Sequence, residues 1–350
     1  MVGKEKTTAE KRLEVLEGIY VRFPRTDQLS ERIDYCRVHS KIARDPDCLL
    51  VTGEPGTGKT RLVERYQEKF PRRKETRIVD GITKVITIVP VLLASCPTKA
   101  TEKSLVETLL TALGDPEAKK GSLTTQTLRL CSYIELCETE LLIVDEFQHF
   151  QDRDRETILK NVANYLKEII IRTKKPMILT GMPYSVNILD DNPQLNRRFK
   201  RASLDPLEWE AAPQGDAAKA QSEFKIFLSY LDDALESVFG ARSNLGDKTM
   251  ALAFYTATSG NIDRLMRLFH LAAARALDYE LETLDSCVLA EAYEAELRDE
   301  MPKKENPFGT CARPVTKRIS KKAPRPDGLN QRLKAKNEKP TAGSLVRGRR

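Results

Sequence analysis

The stretch Val51–Thr60, V-T-G-E-P-G-T-G-K-T, constrains this chain more than any other. Gly53, Gly58, Lys59 and Thr60 satisfy G-x-x-x-x-G-K-[ST], the pattern of a phosphate-binding loop. The apolar run Cys48–Val51 ahead of it suits a short buried strand, and Arg61–Tyr66 behind it suits a helix. Glycines let the backbone curl until successive N–H groups point at phosphate oxygens, and the helix N-terminus adds partial positive charge. A lysine at position 59 reaches β- and γ-phosphates, and a hydroxyl at 60 ligates Mg²⁺. Gly53, Glu54, Pro55, Gly56, Thr57, Gly58, Lys59, Thr60 and Arg61 are therefore the expected nucleotide contacts. The bland alternative is a glycine-rich turn with no ligand.

A second signature is Leu141–Glu146, L-L-I-V-D-E. Four apolar residues suit a buried central strand, and two carboxylates stand at its C-terminal end, where α/β sheets place their ligands. Asp145 is expected to hold Mg²⁺ through water, and Glu146 to orient and polarise the attacking water. Pro176–Gly181 reads as a further strand whose Thr180 is placed to touch the γ-phosphate or the water. For both stretches the alternative is a strand that ends in a solvated polar turn.

The remaining elements follow from periodicity. Thr8–Tyr20 and Asp27–Ala43 read as helices, separated by Phe23-Pro24-Arg25. Lys84–Leu93, rich in β-branched residues, reads as one buried strand interrupted near its end by Pro90. Lys103–Leu113, Thr124–Cys137 and Arg155–Ile171 read as helices, and Phe199–Leu204 as an edge strand. Beyond Leu207 strand signals stop, and Ser222–Phe239, Lys248–Thr258, Ile262–Asp278 and Leu284–Arg298 all have helical patterning. The fold class is thus α/β, a parallel sheet flanked by helices, with a small all-helical second domain. The divisions are an N-terminal helical segment (1–45), a nucleotide-binding domain (46–206), a helical domain (207–300) and a basic tail (301–350).

Charge supports the last division. The chain of 350 residues carries +7, whereas Pro302–Arg350 alone carries +12, which leaves −5 on the rest. The tail has few large apolar residues and is expected to be disordered alone. The seven cysteines form no C-x-x-C pair and mostly lie in apolar runs, which suggests reduced thiols in a cytoplasmic protein. There is no apolar run of membrane-spanning length, no secretory leader pattern and no histidine cluster for a metal.

The order of these parts resembles the AAA+ P-loop ATPases. Within them, Val21–Arg25, Ile178–Pro183, Asn192–Phe199 (N-P-Q-L-N-R-R-F) and Ser259–Leu265 (S-G-N-I-D-R-L) resemble the TniB/TnsC transposition regulators. That resemblance implies binding of ATP with Mg²⁺ and head-to-tail assembly into rings or filaments on double-stranded DNA. It also implies coupling of a TniQ/TnsD-like target-selection protein to a transposase, with hydrolysis driving disassembly. Arg197 or Arg198 would be the arginine finger that reaches a neighbour's ATP, with Arg201 a third candidate. Arg264 would be the lid arginine that senses the γ-phosphate; Asp263 stands where some relatives carry a basic residue. Pore-facing DNA contacts would come from Lys99, Thr101 and Lys103, then Lys119, Lys120 and Thr124. Three rival readings are an ATP-gated scaffold with negligible hydrolysis, a replication-initiator or helicase-loader AAA+ protein, and a signalling NTPase that acts on protein.

Overall fold

The computed structural model describes residues 8–79, 82–98, 100–153, 156–190, 192–209, 222–300 and 305–310. Residues 1–311 make up one compact unit. In chain order its elements are α1 (Thr8–Glu17), α2 (Pro24–His39), β1 (Cys48–Thr52), α3 (Lys59–Glu68), β2 (Arg73–Val79), β3 (Ile82–Ile88), β4 (Val91–Ser95), α4 (Glu102–Leu113) and α5 (Leu123–Leu136). There follow β5 (Leu141–Asp145), α6 (Glu156–Thr173), β6 (Met177–Gly181), α7 (Val186–Asp190), α8 (Pro193–Asn196) and β7 (Phe199–Ser203). Four helices close the unit: α9 (Glu223–Phe239), α10 (Lys248–Thr258), α11 (Ile262–Asp278) and α12 (Ser286–Glu296).

The main sheet has five parallel strands in the order β4-β5-β6-β1-β7. Its central strands are apolar on both faces, as a parallel sheet covered on both sides requires. Alternation along each strand divides the core. Leu49, Val51, Leu141, Ile143 and Ile178 pack with α2, α3 and the four C-terminal helices. Leu50, Leu142, Val144, Met177 and Leu179 pack with α4, α5 and α6. The first cluster runs without a break from the sheet into the C-terminal helices, through Leu204, Leu207, Phe227 and Leu265. Side-chain caps start four of the helices named here: Thr101 and Ser122 accept from backbone N–H groups at α4 and α5, as Asn261 and Asp285 do at α11 and α12.

The structure corrects the single buried strand expected over Lys84–Leu93. That stretch is two strands in two different sheets, β3 and β4, parted at Pro90. Proline has no N–H for a ladder, and the Pro90 carbonyl instead accepts from Glu140 and Leu141 at the start of β5. β3 pairs antiparallel with β2, a strand hidden in the sequence by the charges of R-K-E-T-R-I-V, to form a separate hairpin. Ile78, Ile82 and Val85 on it are exposed.

The C-terminal boundary also differs from the expected break after Glu300. Asn306 donates to the Ala290 carbonyl of α12, and Phe308, only 9% exposed, packs edge-on to Phe254. Cys36, Cys48, Cys96, Cys131 and Cys137 are free thiols, whereas Cys287 is disulfide-bonded, against the expectation of reduced thiols throughout. No helix among the described residues is long and apolar enough to cross a membrane.

Candidate nucleotide site

Strand order brings the two sequence signatures together. β6 lies between β1, which leads into the glycine loop, and β5, which ends in Asp145. The loop then turns through Gly56 (φ 77°) and Gly58 (φ 94°), both left-handed, into α3. A side chain at Gly56 would be strained by φ and would also meet Asn261 Oδ1 at 2.7 Å and Asp263 Cβ at 2.8 Å.

The expected polar residues converge. The Lys59 ammonium, nearly buried, donates to the carbonyls of Gly53 (2.7 Å) and Glu54 (2.8 Å). Burial pushes its pKa below the ordinary lysine value, against the opposing pull of Glu146, Asp145 and Glu54. The Thr60 hydroxyl donates to Asp145 Oδ2 at 2.7 Å, and the Thr180 hydroxyl donates to Asp145 Oδ1. Asp145 thus joins the start of α3 to the end of β6. Thr180 is wholly buried, and its hydroxyl is engaged with this carboxylate. Glu146 has a left-handed backbone (φ 57°), and its carboxylate accepts from the Gln148 side-chain amide. For a residue other than glycine such a backbone is a strained arrangement of the kind found at functional sites.

A cavity of about 620 Å³ opens over the loop, lined by Pro55–Arg61, Glu146 and Gln148. Its apolar wall is Ile19, Tyr20, Val21 and Phe23 from the α1–α2 connection, Met182, Phe227 from α9, and Ile262 and Met266 from α11. One end is polar and cationic and the other apolar and aromatic, which matches a triphosphate joined to a flat base. This wall was not identified from the sequence. The only signal was the stretch Val21–Arg25, which carried a resemblance but no assigned role.

The donor set also suits Mg²⁺. Among the described residues no three or more His, Cys, Asp or Glu side chains group as a metal cage. One hydroxyl and one carboxylate in contact provide the sparse oxygen ligation that Mg²⁺ takes when phosphates and water complete its sphere.

The α11 side departs from expectation. Arg264 does not line the cavity; Asp263 does. The Arg264 guanidinium is paired with Glu300 at 2.9 Å, beside an Arg267–Glu300 pair. What seats α11 on the loop is its first turn: the Asn261 amide donates to the Pro55 carbonyl (2.8 Å), and the Asp263 N–H to the Gly56 carbonyl (2.9 Å).

Among the finger candidates, Arg198 is tied to Asp45 at 2.9 Å with only 11% of its side chain exposed, and Arg201 is tied to Asp190 and Asn196. Arg197 is exposed and has no ion-pair partner among the described residues. Of the DNA-contact candidates, Lys99 lies outside the described residues. The Thr101 hydroxyl caps α4, and Lys120 pairs with Glu117 at 2.7 Å. Lys103, Lys119 and Thr124 are exposed, and no described contact brings them together.

A parallel sheet with this strand order, a phosphate loop after its β1 strand, an acidic pair at the end of β5 and a helical bundle seated on the loop make up the AAA+ P-loop fold. Solved structures of that shape agree. ORC2 of Aeropyrum pernix in its ADPNP–ADP complexes matches with TM-score 0.53 at 13% identity, over 81% of this chain and 71% of that one. Cdc6p of Pyrobaculum aerophilum has the same values. ORC1 of A. pernix in complex with DNA matches with TM-score 0.52 at 16% identity, over 82% and 70%. No curated protein matches this chain. The family model described as bacterial TniB protein matches residues 12–210, more than half the chain, and the chain belongs to the TniB family.

Proposed function

We propose that this protein is an ATP-dependent regulator of DNA transposition. It assembles head to tail on double-stranded target DNA and couples a target-selection protein of the TniQ/TnsD type to a transposase; hydrolysis takes the assembly apart. The observation that carries the reading is the convergence of Lys59, Thr60 and Glu146 on one cavity, with Asp145 hydrogen-bonded to Thr60, in a chain of the TniB family. The ADPNP–ADP complexes of one structural neighbour and the DNA complex of another support the two ligand classes.

On this reading the core over 46–206 and the helical domain over 207–300 enclose the nucleotide, and residues 1–45 wall the base. Lys59 and the loop N–H groups hold the phosphates, and Thr60 and Asp145 would hold Mg²⁺. When bound, Mg²⁺ supplies neutralisation of the phosphate charge. Thr180 fixes Asp145, and Glu146 orients and polarises water. Arg197, exposed and without an ion-pair partner among the described residues, is the finger offered to a neighbouring copy, while Lys103 and Lys119, both exposed, are the cations offered to phosphate backbones.

The test is electron microscopy of the Glu146→Gln protein with ATP and duplex DNA. An amide cannot polarise water as a carboxylate does, so ordered assemblies should form and persist. Free monomers under those conditions would refute the reading. A replication-initiator reading is favoured by the shapes of the structural neighbours, and stimulation of a transposase separates the two.

A further inference from the structure

The connection between α4 and α5 is neither helix nor strand, yet its backbone is tightly held. Arg129 of α5 does most of the holding. Its Nε donates to Asp115 Oδ2 at 2.6 Å, and one terminal nitrogen donates to the carbonyls of Glu117 (2.5 Å) and Lys120 (3.3 Å). The Asp115 side chain, only 2% exposed, also accepts from the Glu117 N–H at 2.9 Å. Gln126, wholly buried on the same helix as Arg129, donates to the Ala118 carbonyl at 2.9 Å. The Asp115 carbonyl accepts from the Ala118 N–H. Four carbonyls of a six-residue stretch, those of Asp115, Glu117, Ala118 and Lys120, are thus engaged.

A guanidinium is planar and presents its donors in a fixed fork, so one side chain can hold a carboxylate and two carbonyls together. An ammonium on a flexible stem cannot. A buried carboxylate is costly unless it is paired, so Asp115 and Arg129 act as a unit. Surface connections without such ties are ordinarily mobile. This one keeps its polar backbone turned to its own ties and exposes Lys119 and Lys120. Lys120 pairs with Glu117 at 2.7 Å, within the same stretch. Lys119 has no ion-pair partner among the described residues.

We propose that Arg129 is a positioning residue for nucleic-acid binding: it holds residues 115–120 in the form that meets a phosphate backbone, so that Lys119 arrives on a turn already ordered. This rests on the reading of Lys119 as a DNA contact. Ordering a loop at the moment of binding opposes association, and a loop ordered in the free protein escapes that cost. Arg129 makes no phosphate contact of its own; its side chain is 24% exposed and its bonds run to the loop.

Arg129→Lys keeps a cation for the buried Asp115 carboxylate and loses the fork to the two carbonyls. The assay is binding of the full chain, with a non-hydrolysable ATP analogue, to duplex DNA of arbitrary sequence, by fluorescence anisotropy over a series of salt concentrations. Affinity should fall about threefold to tenfold. The slope of log affinity against log salt should keep its wild-type value, because the same phosphates are met. Lys119→Ala should instead flatten that slope by about 0.9. In a Lys119→Ala background, Arg129→Lys should cause no further loss. Hydrogen–deuterium exchange should quicken at residues 115–120 in Arg129→Lys and stay unchanged at α10 and α11. Undiminished affinity in Arg129→Lys overturns the proposal. A flatter slope overturns it too, because Arg129 would then be a phosphate contact. An equal loss with and without Lys119 overturns it as well, since the effect would then be one of general stability. Wild-type affinity and slope in Lys119→Ala overturn the DNA reading of Lys119 and the proposal with it, and that failure shows in the single variant before Arg129 is changed.

Discussion

Asn261 performs two tasks with one amide, and they can be separated. Its Oδ1 accepts from the Arg264 N–H at 3.1 Å and caps α11, and its Nδ2 donates to the Pro55 carbonyl of the phosphate loop at 2.8 Å. Removing an N-cap acceptor costs about 1 kcal/mol, and an exposed neutral hydrogen bond contributes roughly 0.5–1 kcal/mol. Asn261→Ala should therefore destabilise the unit by about 2 kcal/mol, and Asn261→Ser, which keeps a cap but cannot reach Pro55, by about half of that. Both variants loosen the seat of α11 on the loop by the same bond, so both should weaken ATP-analogue binding by a similar factor of about three to five. Urea denaturation is the assay. The single tryptophan, Trp209, packs against Phe224 and Tyr255 and reports the C-terminal helices by fluorescence. Equal destabilisation by Ser and Ala would show that the cap contributes nothing. Undiminished nucleotide affinity in both would refute a role for the Pro55 bond in holding the loop.

Lys59→Ala removes the cationic partner of the phosphates and should weaken ATP-analogue binding on the order of a hundredfold, read by equilibrium fluorescence. Gly56→Ala must place a Cβ on a left-handed backbone against Asn261 and Asp263; it should lose about 1–2 kcal/mol from the backbone alone and bind ATP more weakly, and normal stability would contradict the geometry of the loop. Arg197→Ala mixed with Lys59→Ala should regain ATPase, since each chain supplies what the other lacks. Arg198→Ala should instead lower stability through loss of its Asp45 partner, and recovery of turnover only in Arg198→Ala mixtures would reverse the assignment.

The parts of this site that were legible in the sequence are those whose chemistry demands a fixed spacing along one segment. The loop from Gly53 to Thr60 and the Asp145–Glu146 pair are local, so the residue types alone imply their roles. Features that depend on distant partners were not legible. Arg197 and Arg198 are equivalent in sequence, and only the fold brings Asp45 to one of them. Arg264 looked free to face the nucleotide until α12 brought Glu300 to it. The β-branched run at Lys84–Leu93 predicted extended chain correctly but carried no information on which sheet each half joins. The apolar wall at Ile19–Phe23 was invisible because its residues act together only after α9 and α11 fold over them.

The segment after α12 gives a prediction in which the boundary itself matters. Composition alone places the end of the folded unit at Glu300, yet Asn306 and Phe308 pack onto α10 and α12. Burying a phenylalanine is worth roughly 1.5–3 kcal/mol. A chain cut after Glu300 should lose at least that amount, because it also leaves Cys287 no cysteine to bridge, the five others that remain being free thiols, and it puts a new terminal carboxylate beside the Arg264 and Arg267 pairs. A chain cut after Cys311 should keep wild-type stability, and only that chain cleanly tests the 15 Lys and Arg of Pro302–Arg350, most of which lie beyond it. Basic segments bind phosphate backbones through counterion release, so if this one grips DNA, the cut should lower affinity for duplex of any sequence and flatten the salt slope. We favour a second role, recruitment of the transposase, because Leu333, Leu345 and Val346 are apolar residues spaced among the charges. In that case DNA affinity and its salt slope survive the cut while transposase stimulation fails. Unchanged affinity, slope and stimulation together would eliminate both roles, and equal stability of the two truncated chains would eliminate the packing argument for Phe308.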